Sequence, residues 1–352
     1  MRRLLLALVV AAATLLAQPA VIVDARPGDW DIRWSPMARS PFGAHLPAAA
    51  WTGNALVAVD PIVGRSARYD PDADVWTDLG VAPSPFSPFD PSAWTGSELL
   101  IFPNRLDGDP LALDPEAGTW RLLSSMPDEM YFPPEVAAWT GNEVVVAGGS
   151  PPQAAVYRPA DDTWKSLARP GGLWVIGLTW TGSSVLAETQ GMGDEGPISI
   201  ARLDPGTMEW TPAAVGTVSP AAGRGLWVDG VLAYLRTDDE VAGPSSDAIY
   251  DPVGDEWRPL SAGCGVHTID AVAAGPLIVD GSGRAAMDVR SGECVRLKRP
   301  ASGIYGGGAR VWTGDEALFW SGIASLDGPA RPRGTRLVID AGTSIDPRPD
   351  SR

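Results

Sequence analysis

The chain has 352 residues, 45% of them hydrophobic and 20% charged, with 40 Gly, 34 Pro, 15 Trp and only two Cys. Gly and Pro make up 74 of the 352 residues and Gly has no every-third-residue period, which argues against collagen and helical bundles and for many short strands joined by turns. The formal net charge is −16, only Lys165 and Lys298 are lysines, and the lack of a basic run argues against a nucleic-acid partner.

Residues 1–25 read as a signal peptide. Arg2 and Arg3 precede an apolar run of 14 residues, Leu4 to Ala17. That is shorter than the roughly 20 residues a bilayer span needs. Val23 and Ala25 suit cleavage after Ala25, with cleavage after Ala20 the weaker choice. The expectation is a secreted or extracytoplasmic protein with no membrane span after cleavage; an uncleaved N-terminal anchor is the alternative. Export would place Cys264 and Cys294 in an oxidising compartment, where a disulfide closing a 30-residue loop is expected.

Beyond the leader, one motif recurs. Trp-Thr-Gly stands at Trp51, Trp94, Trp139, Trp180 and Trp312, with Trp227-Val-Asp-Gly and Ala273-Ala-Gly as degenerate copies, at spacings of 43, 45, 41, 47, 46 and 39 residues. A second motif runs in phase with it: Tyr69-Asp-Pro, Leu113-Asp-Pro, Tyr157-Arg-Pro, Leu203-Asp-Pro, Tyr250-Asp-Pro and Met287-Asp-Val. Six residues past the Asp or Arg comes Trp76, Trp120, Trp164, Trp210 or Trp257, and Cys294 in the sixth copy. Two motifs locked in phase over seven periods mark a repeat architecture.

In the first period, strand a is predicted from Ala48 to Trp51 and turns through Thr52-Gly53 into strand b, Ala55 to Val59. Strand c is Ser66 to Tyr69, and Asp70-Pro71 opens the turn into strand d, Val75 to Leu79, because Pro cannot continue a ladder. The recurrent Trp and Tyr suit packing between sheets. The seventh period, Gly308 to Asp340, lacks a Trp-bearing strand d. Trp34 stands 17 residues before Trp51, matching the 16 to 19 residues between each strand-d position and the next strand a. The N-terminal segment is therefore expected to complete the last sheet.

The hairpin, the apolar strand b, Tyr-Asp-Pro and the following Trp resemble the kelch repeat family of β-propellers. The family's double glycine after strand b survives only as Gly148-Gly149. The resulting expectation is an all-β, seven-bladed β-propeller of four-stranded antiparallel blades, similar to the galactose oxidase-like propellers. It comprises a signal peptide at 1–25, the propeller at 26–344 and a polar tail at 345–352, and acts as a monomer.

In such a ring the d-to-a and b-to-c loops share one face, here called the loop face. These loops are long and varied, whereas the a-to-b and c-to-d turns opposite are short and repetitive, so binding is expected on the loop face. Its aromatic candidates are Phe42, Phe86, Phe89, Tyr131, Phe132, Trp174 and Tyr305, suited to stacking on sugar rings or on an apolar partner, or else to plugging the blade packing. Asp90, Glu135, Arg224 and Asp270 precede the inner strands, where they could act as acid and base, hold a cation or simply solvate the channel. The two histidines, His45 and His267, fall on loops of the same face.

No phosphate loop, nucleophile elbow, zinc motif or dinucleotide fingerprint occurs, and neither a cofactor nor a metal is expected. The first expectation is a non-catalytic binding module for a carbohydrate or protein partner, by analogy with kelch-like interaction platforms. The alternative is a sugar-modifying enzyme similar to the kelch-fold mutarotases, with Glu135, Asp270, Arg224 or His267 as acid and base. A copper radical oxidase would need two His, two Tyr and a Cys crosslinked to one Tyr; Tyr131 and Tyr305 are the only loop-face tyrosines, and Cys264 would have to be unpaired. A sialidase would need Ser-x-Asp-x-Gly-x-Thr-Trp boxes, which are missing.

Overall fold

The computed structural model describes residues 30–84, 86–105, 108–130, 132–149, 152–171, 174–190, 198–215, 224–235, 247–260, 266, 268, 271–298, 300, 304, 306–323 and 329–341. These form seven four-stranded antiparallel sheets. Blades 1 to 6 run in chain order: Ala48 to Val81, Ser92 to Leu122, Val136 to Leu167, Trp174 to Val215, Leu226 to Pro259 and Val272 to Arg296. Blade 7 takes three strands from Ala309–Trp312, Glu316–Trp320 and Gly334–Ala341, and its fourth from Trp30–Pro36. The chain is a seven-bladed β-propeller closed by its N-terminal strand. Trp34 lies opposite Leu337 just as Trp76 lies opposite Tyr69, so the closing strand occupies the predicted register. The proposed leader at 1–25 and the tail at 345–352 lie outside the described residues.

All seven inner hairpins share one register. The Trp, or its stand-in, pairs with the residue five positions on, from Trp51 with Leu56 through Trp227 with Leu232 and Ala273 with Ile278 to Trp312 with Ala317. In the Trp-Thr-Gly copies Gly alone takes positive φ, 102° at Gly53, which is a type II′ turn. The Thr52 N–H donates to the Ala55 carbonyl at 2.9 Å, and Thr52 Oγ1 accepts the Ala55 N–H at 3.0 Å. Blade 5 replaces Thr-Gly-x with Val-Asp-Gly. Asp229 and Gly230 both take positive φ there, 46° and 82°, and a type I′ turn keeps the loop at two residues. The degenerate motif thus preserves the geometry by changing turn type.

Strand b is buried on both sides and reads as a continuous apolar run. In blade 1, Leu56 and Ala58 join the core shared with blade 7, while Val57 and Val59 join the core shared with blade 2. Each seam between neighbouring blades has such a core, and the last is sealed by Trp34 and Ile32 from the closing strand.

The seams are not equivalent. Where the second motif carries Tyr, a Asp stands five residues on in the left-handed conformation: Asp74, Asp162 and Asp255, at φ of 51°, 52° and 52°. Each accepts the Tyr hydroxyl, at 2.7, 2.6 and 2.7 Å, and a backbone N–H of the preceding blade, from Ala38, Ser124 and Ala214. The following Trp stacks on the Tyr, with centroids 4.9 to 5.3 Å apart. Its indole N–H donates to the carbonyl of the same Ala38, Ser124 or Ala214. Both sides of one residue's backbone are thereby gripped, an inter-blade clamp at seams 7/1, 2/3 and 4/5. Leu113 and Leu203 cannot build it, nor can the closing Leu337, and the indole N–H groups of Trp120, Trp210 and Trp34 are buried without a partner.

Candidate functional site

The inner hairpin of blade 4 stands out on the loop face. Its strands, Trp174–Trp180 and Val185–Gln190, are longer than the three- to five-residue inner-hairpin strands of the other blades. A bulge between Val175 and Gly177 re-aims the chain there. Trp174 is 38% exposed at the tip, opposite Gln190. Together with Glu135, Val136, Val175 and Ile176 these two line a cleft of about 460 Å³. The cleft thus unites two sequence candidates, Trp174 and Glu135, with a residue not singled out, Gln190.

Glu135 is held by the one surviving double glycine. Its Oε1 accepts the Gly149 N–H at 3.3 Å, and its own N–H donates to the Ala147 carbonyl at 2.8 Å. A Cβ on Gly148 would overlap the Pro133 carbonyl, and one on Gly149, at φ of 85°, would overlap the Phe132 ring. The glycines are needed because the loop before Glu135 lies directly on them.

Behind the hairpin sits a carboxyl group that the sequence analysis missed. Glu188 is fully buried. Its Oε2 accepts the Gly225 N–H at 2.7 Å and the Tyr234 hydroxyl at 2.9 Å, while Oε1 has no partner. A Cβ on Gly177 would overlap Oε1, and one on Gly225 would come within 2.8 Å of Tyr234 Cζ, so both glycines make room for the cluster. Burial pushes the Glu188 carboxyl up, with the Arg224 charge, the Gly225 N–H and the Tyr234 hydroxyl opposing it. Burial and then the Glu188 charge push the Tyr234 hydroxyl well above its ordinary value. Arg224 is exposed, donates to the Leu178 carbonyl at 3.2 Å and lays its stem against Gly177. The signal in the sequence was an acid in strand b, Val-Leu-Ala-Glu-Thr-Gln, at a position that is apolar in blades 1, 2 and 3 (Val59, Phe102 and Ala147).

The other candidates separate by burial. Phe42 and Phe86 are not on the binding rim and take the plugging alternative: Phe42 packs edge-on to Trp320 at 5.5 Å, and Phe86 lies in the seam between blades 1 and 2. Their loops turn inward because the space above the small Ala residues of strand a needs filling. Phe89, 70% exposed, and Phe132, 40% exposed, stay on the rim. Asp90 is a buried staple, accepting the N–H groups of Ser87 and Asn104, each at 2.8 Å. His45 is half-buried against Gly307. Tyr131, Tyr305, Asp270, His267 and Cys264 lie outside the described residues. No group of three or more His, Cys, Asp or Glu suited to a metal occurs among the described residues. No helix there is long and apolar enough to cross a membrane.

Comparison with known proteins places the architecture and nothing finer. No protein-family model matches the chain. No curated protein matches it either. Among solved structures, the one titled "Structure of U3-55K" aligns with a TM-score of 0.56 at 9% identity, covering 89% of this chain and 99% of that one. The likeness is one of fold. With 855 solved chains matching, it marks a scaffold common to many proteins, and chemistry has to be read from the site.

Proposed function

We propose that this chain is an exported, non-catalytic propeller of degenerate kelch type that binds a carbohydrate through its loop face. The observation that carries the reading is the Trp174 cleft. An exposed indole offers a flat face to the C–H groups of a sugar ring, and the Glu135 carboxylate and Gln190 amide stand beside it as hydroxyl partners. The volume of about 460 Å³ suits a small saccharide unit rather than a protein surface. The propeller fold, an interaction scaffold in many settings, supports a binding role. In an exported chain, Cys264 and Cys294 would form a disulfide that ties strand d of blade 6 to the segment leaving blade 5.

The test is a thermal-shift and calorimetry screen against monosaccharides and cell-wall oligosaccharides. A ligand at a hundred times its Kd adds about 2.7 kcal/mol and shifts the melting point by several degrees. Trp174→Ala is expected to weaken the binding sugar at least tenfold with the fold intact, and Glu135→Gln to weaken it less. A panel in which no saccharide shifts the protein would turn the loop face over to a protein partner. The second reading, a sugar-modifying enzyme, rests on Glu135 facing the cleft; turnover abolished by Glu135→Gln would favour it.

A further inference from the structure

The seam between blades 3 and 4 lacks the ties that hold its neighbours. Arg68, Arg202 and Arg336 in strand c of blades 1, 4 and 7 each donate to the carbonyl of the Pro in the next blade's c-to-d turn: Pro115, Pro252 and Pro71. Blade 3 has Val156 at that position. Blade 4 then offers Leu203 and Met208 where clamped blades offer Tyr and Asp, and the Trp210 indole N–H is left without a partner. On the face opposite the loop face, this seam opens into a cleft of about 1020 Å³. That volume is at the top of the range for small-molecule sites, and the cleft runs from one blade's a-to-b turn to the next blade's c-to-d turn.

The cleft's chemistry is specific. Its apolar surfaces are Trp164, Trp180, Val156 and Met208, and its cations are Arg158 and Lys165. Arg158 replaces the Asp that every other copy of the second motif carries, and it forks onto Glu143, which neutralises the cleft's one acid. Lys165 holds the place in strand d that Arg121 holds in blade 2. Arg121 is paired with Glu98, at 2.8 and 2.7 Å, and lies against the Tyr157 hydroxyl of the next blade. Lys165 meets neither an acid nor a hydroxyl among the described residues, because Arg158 takes Glu143, the counterpart of Glu98, and blade 4 presents Leu203 where blade 3 presents Tyr157. In a chain of net charge −16 with two lysines, one exposed lysine stands unpaired beside the half-buried Trp164, Trp180 and Met208.

We propose that this cleft is a docking groove for an extended acidic segment of a partner protein, with a carboxylate on Lys165 and apolar side chains against Trp180 and Met208. It is a second site, independent of the saccharide reading and on the other face of the ring. Arg158 is paired with Glu143 and Asp161, so Lys165 is the cation left to select the acid, and with neither a clamp nor an Arg–Pro tie across it the cleft stays uncovered above the core that blades 3 and 4 share.

The probe is an array of eight-residue peptides alternating Asp or Glu with Leu, Phe or Pro, beside a matched array with Lys in place of each acid. The expected result is retention of the purified protein by the acidic array alone. Affinity should fall about tenfold or more with Lys165→Glu and stay unchanged with Lys298→Glu, the other lysine. Trp174→Ala, on the loop face, should also leave retention unchanged, which separates this proposal from the saccharide site. Retention by both arrays or by neither, or retention indifferent to Lys165→Glu, overturns it. So does a concentration-dependent dimer in analytical ultracentrifugation that Lys165→Glu dissolves, which gives the cleft to a second copy. A further variant, Leu203→Tyr with Met208→Asp, supplies the clamp that the seam lacks; it should raise the melting temperature and abolish peptide retention, and retention at full strength would count against the groove.

Discussion

A carboxyl group with one oxygen accepting two hydrogen bonds and the other unpartnered, wholly out of water, is a costly thing to ionise. Glu188 is in that position, and burial raises its folded pKa above the unfolded value. The folded state therefore binds the proton more tightly, so Glu188 favours the fold below the ordinary Glu pKa of about 4.3 and loses that contribution as pH rises toward its folded pKa. Glu188→Gln keeps an acceptor for the Gly225 N–H and the Tyr234 hydroxyl, and the melting temperature should then depend less on pH above about 4.3. Glu188→Ala strands both donors and should cost roughly 2 to 4 kcal/mol in urea unfolding. A Gln variant with an unaltered pH profile would show that Glu188 does not carry this dependence. The acid was readable in strand b as a break in an apolar run. Its partners were not, because Tyr234 and Gly225 come from the next blade and only the closed ring brings them to it.

At the scale of the strand and turn, the alternation of Tyr and Leu in the second motif decides which seams are stapled. Asp255 is held low by the Ala214 N–H first and the Tyr250 hydroxyl second. Burial pushes Asp162 up, but the Ser124 N–H and the Tyr157 hydroxyl outweigh it and hold the carboxyl low. A depressed folded pKa gives stability that is present above the unfolded value of about 3.9 and lost as pH falls through the folded one. The Asp162 and Asp255 clamps should therefore open on the acid side, opposite in sign to Glu188. Tyr250→Phe removes one hydroxyl and should lower stability by about 1 kcal/mol, while Asp162→Asn with Asp255→Asn should flatten the melting-temperature decline below pH 4. An acid limb unchanged in that double variant would remove the clamps from the explanation. The sequence displayed the Tyr–Leu alternation and the strand and turn positions, because both repeat with fixed local spacing. It did not display the open seam, since a cleft depends on what two blades fail to offer one another: Val156 is unremarkable until it is seen to lack an arginine's reach. The same limit left open whether Phe42 and Phe86 bind or plug; both plug, because their loops follow the shape of the cavity beneath them rather than a repeat.

At the scale of the ring, closure joins the two ends of the chain, and one segment does three jobs there. Residues 30–36 pair along their whole length with strand c of blade 7, from Trp30 opposite Ala341 to Pro36 opposite Thr335. Trp34 packs on Phe319 at 5.6 Å and against Gly283 and Ile304, filling the seam between blades 6 and 7. Four residues further on, Ala38 is the residue gripped by the blade 1 clamp, with Asp74 accepting its N–H and Trp76 donating to its carbonyl. Met37 and Phe42 then enter the core of seam 7/1 beside Trp320. Each of the other blades is built from contiguous chain, so its loss of a strand would be a local defect; here one stretch supports both seams of the closing blade and covers its edge. Removal of residues 26–40 is therefore expected to abolish cooperative unfolding and a single monomeric peak in size-exclusion chromatography, with association through the bared edge of Gly334–Ala341. Trp34→Ala alone leaves the strand ladder and the Ala38 clamp in place, and should cost about 3 to 5 kcal/mol while the protein still melts in one transition. A truncated chain that stays monomeric and unfolds as sharply as the whole would mean that six complete blades and a three-stranded seventh hold the ring without help from the N-terminal strand.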